Sequence, residues 1–371
     1  MKSKLLATFL FVLTIFSVVN IQSQTTEKLV PGDSKYDNPD IWTGYDSNYK
    51  IYYIYNRKTG ERLKNLDYDE VSPLSNGIAK VTINNKWGFI DDAGNEIVPA
   101  KYDQVEYFIN GIASVKLNNK WGYIDKWGKE IISPKYDEIQ SFHEELASVK
   151  LSGKWGYIDT SGKEIIPFIF EFAGKFCNSL APVLSGNKYG FIDKTGTLVI
   201  PHKYDLTYGF TNGYAKVHIN KKYGIIDRNG KEIIPLIYEN VWDFQDDLAV
   251  VTLNDKRGFV NKKGKLVTPI KYGIVFKYKD GFALVTVGDF WGMINNKGKE
   301  AVPVKYKSLS EFSEGMAAFK TGDYWGYLDI KGKEVIPAKF SFADPFKNGK
   351  AYVSDGKRYY NIDKNGQEIV L

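Results

Sequence analysis

Lys120-Trp121-Gly122-Tyr123-Ile124-Asp125-Lys126-Trp127-Gly128-Lys129-Glu130-Ile131-Ile132 is the stretch that decides the fold. A strand ending in Asp-x-x-Gly and followed by a second strand is a hairpin. The Asp side chain bonds back to the turn backbone, and Gly takes the left-handed conformation that a Cβ would disfavour. The same stretch returns every 34 residues. Trp87, Trp121, Trp155, Tyr189, Tyr223, Arg257, Trp291, Trp325 and Tyr359 open successive copies without one insertion. The turn acid recurs as Asp91, Asp125, Asp159, Asp193, Asp227, Asn261, Asn295, Asp329 and Asp363, each with its glycine three residues on. Self-similarity at this period means an array of small units, each burying its apolar face on its neighbours.

The rest of each copy reads as strand and turn. Paired aliphatics such as Ile165-Ile166 lead to a proline column (Pro99, Pro167, Pro201, Pro235, Pro269, Pro303, Pro337), which must end or bend the strand because proline lacks the ladder donor. A Lys-Tyr-Asp-like segment and a second apolar stretch follow, closing on an aromatic column from Phe108 to Phe346. A third apolar strand carries Ala79, Ala113, Ala147 and their equivalents in nine copies, which implies room for no more than a methyl. Helical periodicity is absent, so each unit is three or four antiparallel strands in a meander.

A degenerate copy precedes these, with Gly60 in the turn and Tyr53 in the tryptophan place. Terminal copies that lose the consensus are expected to cap an array. The expected organisation is residues 1–24 as a signal peptide, 25–52 as a lead-in or cap, and 53–371 as the array. Its fold class is all-β, a tandem array of hairpin or meander repeats. An open, twisted, solenoid-like arrangement is favoured over a β-propeller, because both chain ends carry the same half of the unit and the copies outnumber the usual blades. A tight β-helix is disfavoured because it would stack Lys86, Lys120, Lys154 and their equivalents about 4.8 Å apart.

Composition agrees. Aromatic residues make up 15% of the chain and glycines number 34, a mix that favours short strands and tight turns. Lys2 and Lys4 before an apolar run from Leu5 to Val19 read as a secretory signal cleaved near Ser23–Gln24, which predicts an exported chain, in the periplasm, at the cell surface or outside the cell. No later run is long enough to span a bilayer, so no transmembrane segment is expected in the mature chain. Cys177 is the only cysteine, so no intrachain disulfide forms. Without Lys2 and Lys4, 48 basic residues face 44 acidic ones, spread evenly, which is no footprint for nucleic acid.

The Trp-Gly pairs at Trp87-Gly88, Trp121-Gly122, Trp155-Gly156, Trp291-Gly292 and Trp325-Gly326 resemble the WG-repeat family of bacterial proteins. Tyr189-Gly190, Tyr223-Gly224 and Arg257-Gly258 are variants, and Tyr359-Tyr360 departs from the pattern. The resemblance covers roughly Tyr53 to Leu371. It implies an all-β repeat module, often exported, with no established general activity and no catalytic residues to carry over. A weaker similarity to hairpin repeats of cell-wall-binding modules is confined to the hairpin and transfers no ligand residues.

Candidate chemistry is sparse. The Trp/Tyr column reads as core packing before a sugar-stacking ladder, and the Asp column as turn chemistry before calcium. His143, His202 and His218 fall at unrelated positions of the repeat and make no metal or catalytic set. Departures from the pattern on exposed faces are more informative. Tyr208, Trp242 and Phe276 occupy a column that is Glu106, Gln140, Gly174, Ser310 and Asp344 elsewhere. Trp127 stands in a turn where other copies carry Ala93, Ser161 or Thr195. Each is either a recognition surface or a contact with a neighbouring unit. The expectation is a non-enzymatic scaffold, without metal or cofactor, that binds a macromolecule through these four aromatics. A protein partner is favoured, with a glycan or cell wall as the alternative.

Overall fold

A computed structural model describes residues 40–370. The basic start, the apolar run and most of the lead-in lie outside them. The described residues fall into two compact units. The first ends at Asn119 but also takes Tyr123–Glu130; the second takes Lys120–Gly122 and everything from Ile131. Both are built from small antiparallel sheets of consecutive strands. Among the described residues there is no helix, and so none long and apolar enough to cross a membrane.

The sheet of residues 138–170 shows the repeating design. Its strands are Glu138–Ile139, Leu146–Leu151, Lys154–Asp159 and Glu164–Phe170, paired in that order. The second and third strands join through Ser152-Gly153, both at positive φ (51° and 81°), which matches the right-handed twist of the strands on either side. The third and fourth join through the Asp-x-x-Gly turn. Asp159 Oδ1 accepts from the amides of Ser161 (2.9 Å) and Lys163 (3.0 Å), while Gly162 sits at φ +83°. The same pair of bonds recurs at Asp91, Asp193, Asn261 and Asp329, so the turn column is structural in each.

The glycine after the tryptophan has its own cause. A Cβ on Gly156 would lie 2.6 Å from the carbonyl oxygen of Ile166, and one on Gly190 2.6 Å from that of Ile200. At this point the fourth strand bulges: Trp155 pairs with Phe170 while Tyr157 pairs with Ile166. Pro167 lies in the bulge, so the proline bends the strand and does not end it. Trp-Gly and Ile-Pro are thus two sides of one close backbone crossing.

Alternation along the strands buries both faces of a sheet, each against a different neighbour. In the first unit, Phe89, Val98 and Tyr102 of one sheet pack on Val105, Ala113, Val115 and Ile124 of the next strands. In the second unit, Tyr157, Ile166 and Phe170 pack on Ala173, Ala181, Val183 and Ile192. The alanine column is at most 2% exposed in all nine copies, as its invariance implied. The tryptophan column flanks these clusters: Trp155 is 5% exposed, Trp87 and Trp325 are half-buried, and Tyr359 in the last copy is 58% exposed.

One assignment within the degenerate copy changes. Tyr52, not Tyr53, takes the tryptophan place, because Tyr52 pairs with Leu66 as Trp87 pairs with Tyr102. The turn there runs from Asn56 to Gly60, with the Gly60 amide on the Asn56 carbonyl (2.8 Å), whereas Gly94 bonds back three residues to Asp91. That extra turn residue slips the strand by one and sends Ile54 into the core in place of Tyr55. The strand Ile41–Asp46 pairs with Ile51–Asn56 and forms the first strand of this sheet.

Candidate binding surface

One column of the third strand is Phe89, Tyr123, Tyr157, Phe191, Ile225, Phe259, Met293 and Tyr327, and within each unit it faces the following sheet. Where it is aromatic and the next sheet belongs to the same unit, its ring meets the phenylalanine-column ring of that sheet. Phe89 and Phe108 are 4.8 Å apart between centroids, as are Tyr157–Phe176 and Phe191–Phe210. At Ile225 and Met293 that ring is missing, and Phe244 and Phe312 turn instead onto Tyr214 (4.9 Å) and Phe282 (4.8 Å). Both shorter residues line cavities. The one at Met293 is about 10 Å³, room for one water; the one at Ile225 is about 350 Å³.

The larger cavity lies in the second unit, between the sheet of residues 206–238 and the strands that begin at Asn240. Its walls include Tyr208, Tyr214, Lys216, Ile225, Asp243, Phe244 and Asp246. Tyr208 reaches it because its strand, Leu206–Thr211, is longer than the two-residue first strands of other sheets. The strand bulges between Thr207 and Phe210, with Gly209 at φ +79°. The Thr207 hydroxyl donates to the Lys216 carbonyl (3.0 Å) and holds the bulge in place. Tyr208 is left 63% exposed, with the Lys216 ammonium 4.4 Å from its ring centroid. Burial, with Tyr223 and Asp243 nearby, pushes the Tyr208 hydroxyl above the ordinary tyrosine range.

The other candidates are placed differently. Trp242 is half-buried and flanks the cluster of Leu248, Val250, Phe259 and Val285, so it covers an inter-sheet core. Phe276 is 43% exposed and lies 5.8 Å from the Trp291 ring. Among the described residues, none of the rings of Tyr208, Trp242 and Phe276 stacks on another. Trp127 lies in the first unit, 66% exposed, with Lys126 Nζ 4.7 Å from its ring and its amide on Asp125 Oδ1 (3.0 Å). His143 lies in the turn before the strand Leu146–Leu151, and His202 and His218 stand in two other sheets. His202 Nδ1 lies 3.2 Å from the Lys188 carbonyl, and the His218 ring meets Tyr223 at 4.6 Å.

Sequence reasoning singled out Tyr208 but missed Ile225, Asp243 and Asp246. The signal was present, since Ile225 and Met293 are the non-aromatic members among the eight residues of the column named above. It required knowing that the column meets a ring of the next sheet.

Sheets of one design packed face to face define an all-β tandem-repeat protein. The family description "WG containing repeat" matches nine consecutive segments between residues 58 and 359. The chain belongs to that family. No curated protein matches it. Among solved structures it is similar to a eukaryotic initiation factor, at 11% identity and a TM-score of 0.39, over 79% of this chain and 95% of that one. BamB from Moraxella catarrhalis aligns at 12% identity and a TM-score of 0.31, over 72% and 95% of the two chains. PorZ, a surface component of the type-IX secretion system of Porphyromonas gingivalis, aligns at 9% identity and 0.28, over 90% and 51%.

Proposed function

We propose that this protein is an exported, non-enzymatic scaffold that binds a protein partner in the cell envelope or outside the cell. The observation that carries the reading is the exposure of Tyr208 and Phe276 in a column that other copies fill with Glu106, Gln140, Ser310 and Asp344. Large rings held in solvent by a sheet edge offer contact area at little entropic cost, which is what recognition surfaces are built from. Trp242 between them contributes from a half-buried position. Near-identical copies repeated along the chain supply surface and spacing, with no separate acid, base and nucleophile. Export is supported by Lys2 and Lys4 ahead of the apolar run.

The test is site-specific photo-crosslinking from position 208 or 276 in intact cells, followed by identification of the attached species. The Tyr208→Ser/Phe276→Ser variant should keep its melting temperature and lose the crosslinked partner; adding Trp242→Ser should deepen that loss. A partner captured equally well by the double variant rejects this surface. N-terminal sequencing of the mature chain should begin at or next to Gln24. A glycan is the second reading, favoured by the mixed polar and aromatic walls of the cavity beside Tyr208. Retention on insoluble peptidoglycan, released by soluble saccharide and lost in the same double variant, would select it.

A further inference from the structure

Two places on the fourth strand change together along the chain. The next-to-last place of the strand is lysine in six copies between Lys101 and Lys339, but Ile169 and Ile237 in two others. The first place of the following copy's strand, 29 residues on, is glutamate wherever that lysine stands, but Leu198 after Ile169 and Leu266 after Ile237. The two places meet across a joint: Lys271 Nζ is 2.8 Å from Glu300 Oε1, and Lys305 Nζ is 3.3 Å from Glu334 Oε1. Leu266 holds the same place as Leu198, since it bridges Val260 as Leu198 pairs with Ile192. Where the ion pair is lost, therefore, both members are replaced at once by apolar ones. The replacement does not bury them. Ile169 is 60% and Ile237 52% exposed, and Leu198 and Leu266 are exposed as well. Paired aliphatics left in solvent at two joints, two repeats apart in the second unit, mark a contact surface.

The charges around these pairs say what covers them. Lys203 and Glu232 stand at the joint between the two apolar pairs, with Glu164 before the first pair and Lys271 after the second. Reversing this row exchanges lysine for glutamate and isoleucine for leucine throughout, so the row is complementary to its own reverse. A contact about a two-fold axis demands that property, because each copy offers the same patch. Among the described residues, Glu164, Lys203 and Glu232 form no ion pair within the chain, which leaves their charges available. We propose that this row is the surface on which two copies of the protein associate, antiparallel about a two-fold axis at the joint of Lys203 and Glu232. Leu198 and Ile169 of one copy lie on Ile237 and Leu266 of the other, while Lys203 faces Glu232 in both directions and Glu164 faces Lys271. The apolar pairs supply the attraction and the charges fix the register. This association goes beyond the partner surface at Tyr208 and Phe276 and does not depend on it.

The test is sedimentation velocity of the full chain across a micromolar concentration series, in which a monomer–dimer equilibrium is expected. Ile169→Lys/Leu198→Glu gives that joint the ion pair with which the other copies fold. It should keep the melting temperature and weaken dimerisation by at least about tenfold. Lys203→Glu and Glu232→Lys each set like charges against one another across the two-fold axis, and each alone should be monomeric over the same range. Mixed in equal amounts, these two single variants should form a heterodimer, because every facing pair then carries opposite signs. A chain that stays monomeric, a dimer indifferent to Ile169→Lys/Leu198→Glu, or single variants that do not associate on mixing would each overturn the proposal. Those failures leave the scaffold reading intact, since its crosslinks are made from positions 208 and 276.

Discussion

Tyr157 donates its phenolic hydrogen to the main-chain carbonyl of Gly174, 2.7 Å away in the following sheet. Tyr327 makes the same bond to Asp344, also 2.7 Å, one repeat from the end. The ring of Tyr157 lies at the same time against Phe176, so a single residue both packs and hydrogen-bonds across the joint. Burial drives its hydroxyl far above the ordinary tyrosine range, which keeps it a donor throughout the pH range of the folded protein.

Removing that hydroxyl tests how much the joint depends on it. Tyr157→Phe keeps the ring contact and leaves the Gly174 carbonyl unsatisfied. It should cost about 1–3 kcal/mol in urea unfolding, with little change in the near-ultraviolet spectrum. A loss below a few tenths would mean that water replaces the donor freely.

The Trp-Gly crossing makes a sharper prediction. A methyl at Gly190 would lie 2.6 Å from the Ile200 carbonyl, a backbone atom held by the strand. Gly190→Ala should destabilise by about 1–3 kcal/mol, as overpacking does, despite the better strand propensity of alanine. An unchanged midpoint would show that the bulge opens without cost.

A surface clamp joins successive sheets as well. Tyr306 donates to Glu334 Oε1 at 2.9 Å, and Lys305 Nζ lies 3.3 Å from the same oxygen. Tyr272 and Lys271 repeat the arrangement on Glu300. The Tyr306 ring is buried, but the Lys305 and Glu334 side chains are exposed, so a double-mutant cycle of Tyr306→Phe with Glu334→Gln should yield a coupling of about 0.2–1 kcal/mol, smaller at high salt. Coupling of several kcal/mol would show the clamp to be far better shielded than its exposure implies.

Acid should loosen the fold. Asp103 and Asp137 are held below the ordinary carboxylate range first by the ammonium groups of Lys86 and Lys120, each 2.5 Å away. Asp159 and Asp193 are held down by the hydroxyls and amides of their own turns. A carboxyl whose folded pKa is depressed stabilises above its unfolded value, about 3.9 for Asp, and the gain disappears as pH falls through the folded value. Melting temperatures should therefore be flat from neutrality to about pH 5 and drop below about pH 4. Asp92, raised by burial and by its neighbour Asp91, works in the opposite direction. A flat profile down to pH 3 would contradict the balance.

Much of the fold was legible because its determinants are local. An Asp-x-x-Gly turn is recognised from four residues, since a side-chain oxygen and a left-handed glycine suffice to close it. The invariant alanine announced a tight place, and all nine lie buried. The slip at Tyr52 was hidden because counting from Gly60 is blind to one added turn residue. The site was less legible still. Tyr208 could be found as an aromatic out of place, but Trp242 in the same column proved half-buried while Phe276 stayed exposed.

Taken alone, the sequence determined the period, the strands, the turns and the alternation that makes every sheet two-faced. Those follow from backbone sterics and from hydrogen bonds a few residues apart. Only the tertiary structure decided which ring meets which across a joint, and that a recess opens beside Ile225 and Tyr208 while the equivalent place at Met293 is nearly filled. Contacts between sheets join residues a whole repeat apart, and packing at that distance is set by volume and facing, which no local pattern records.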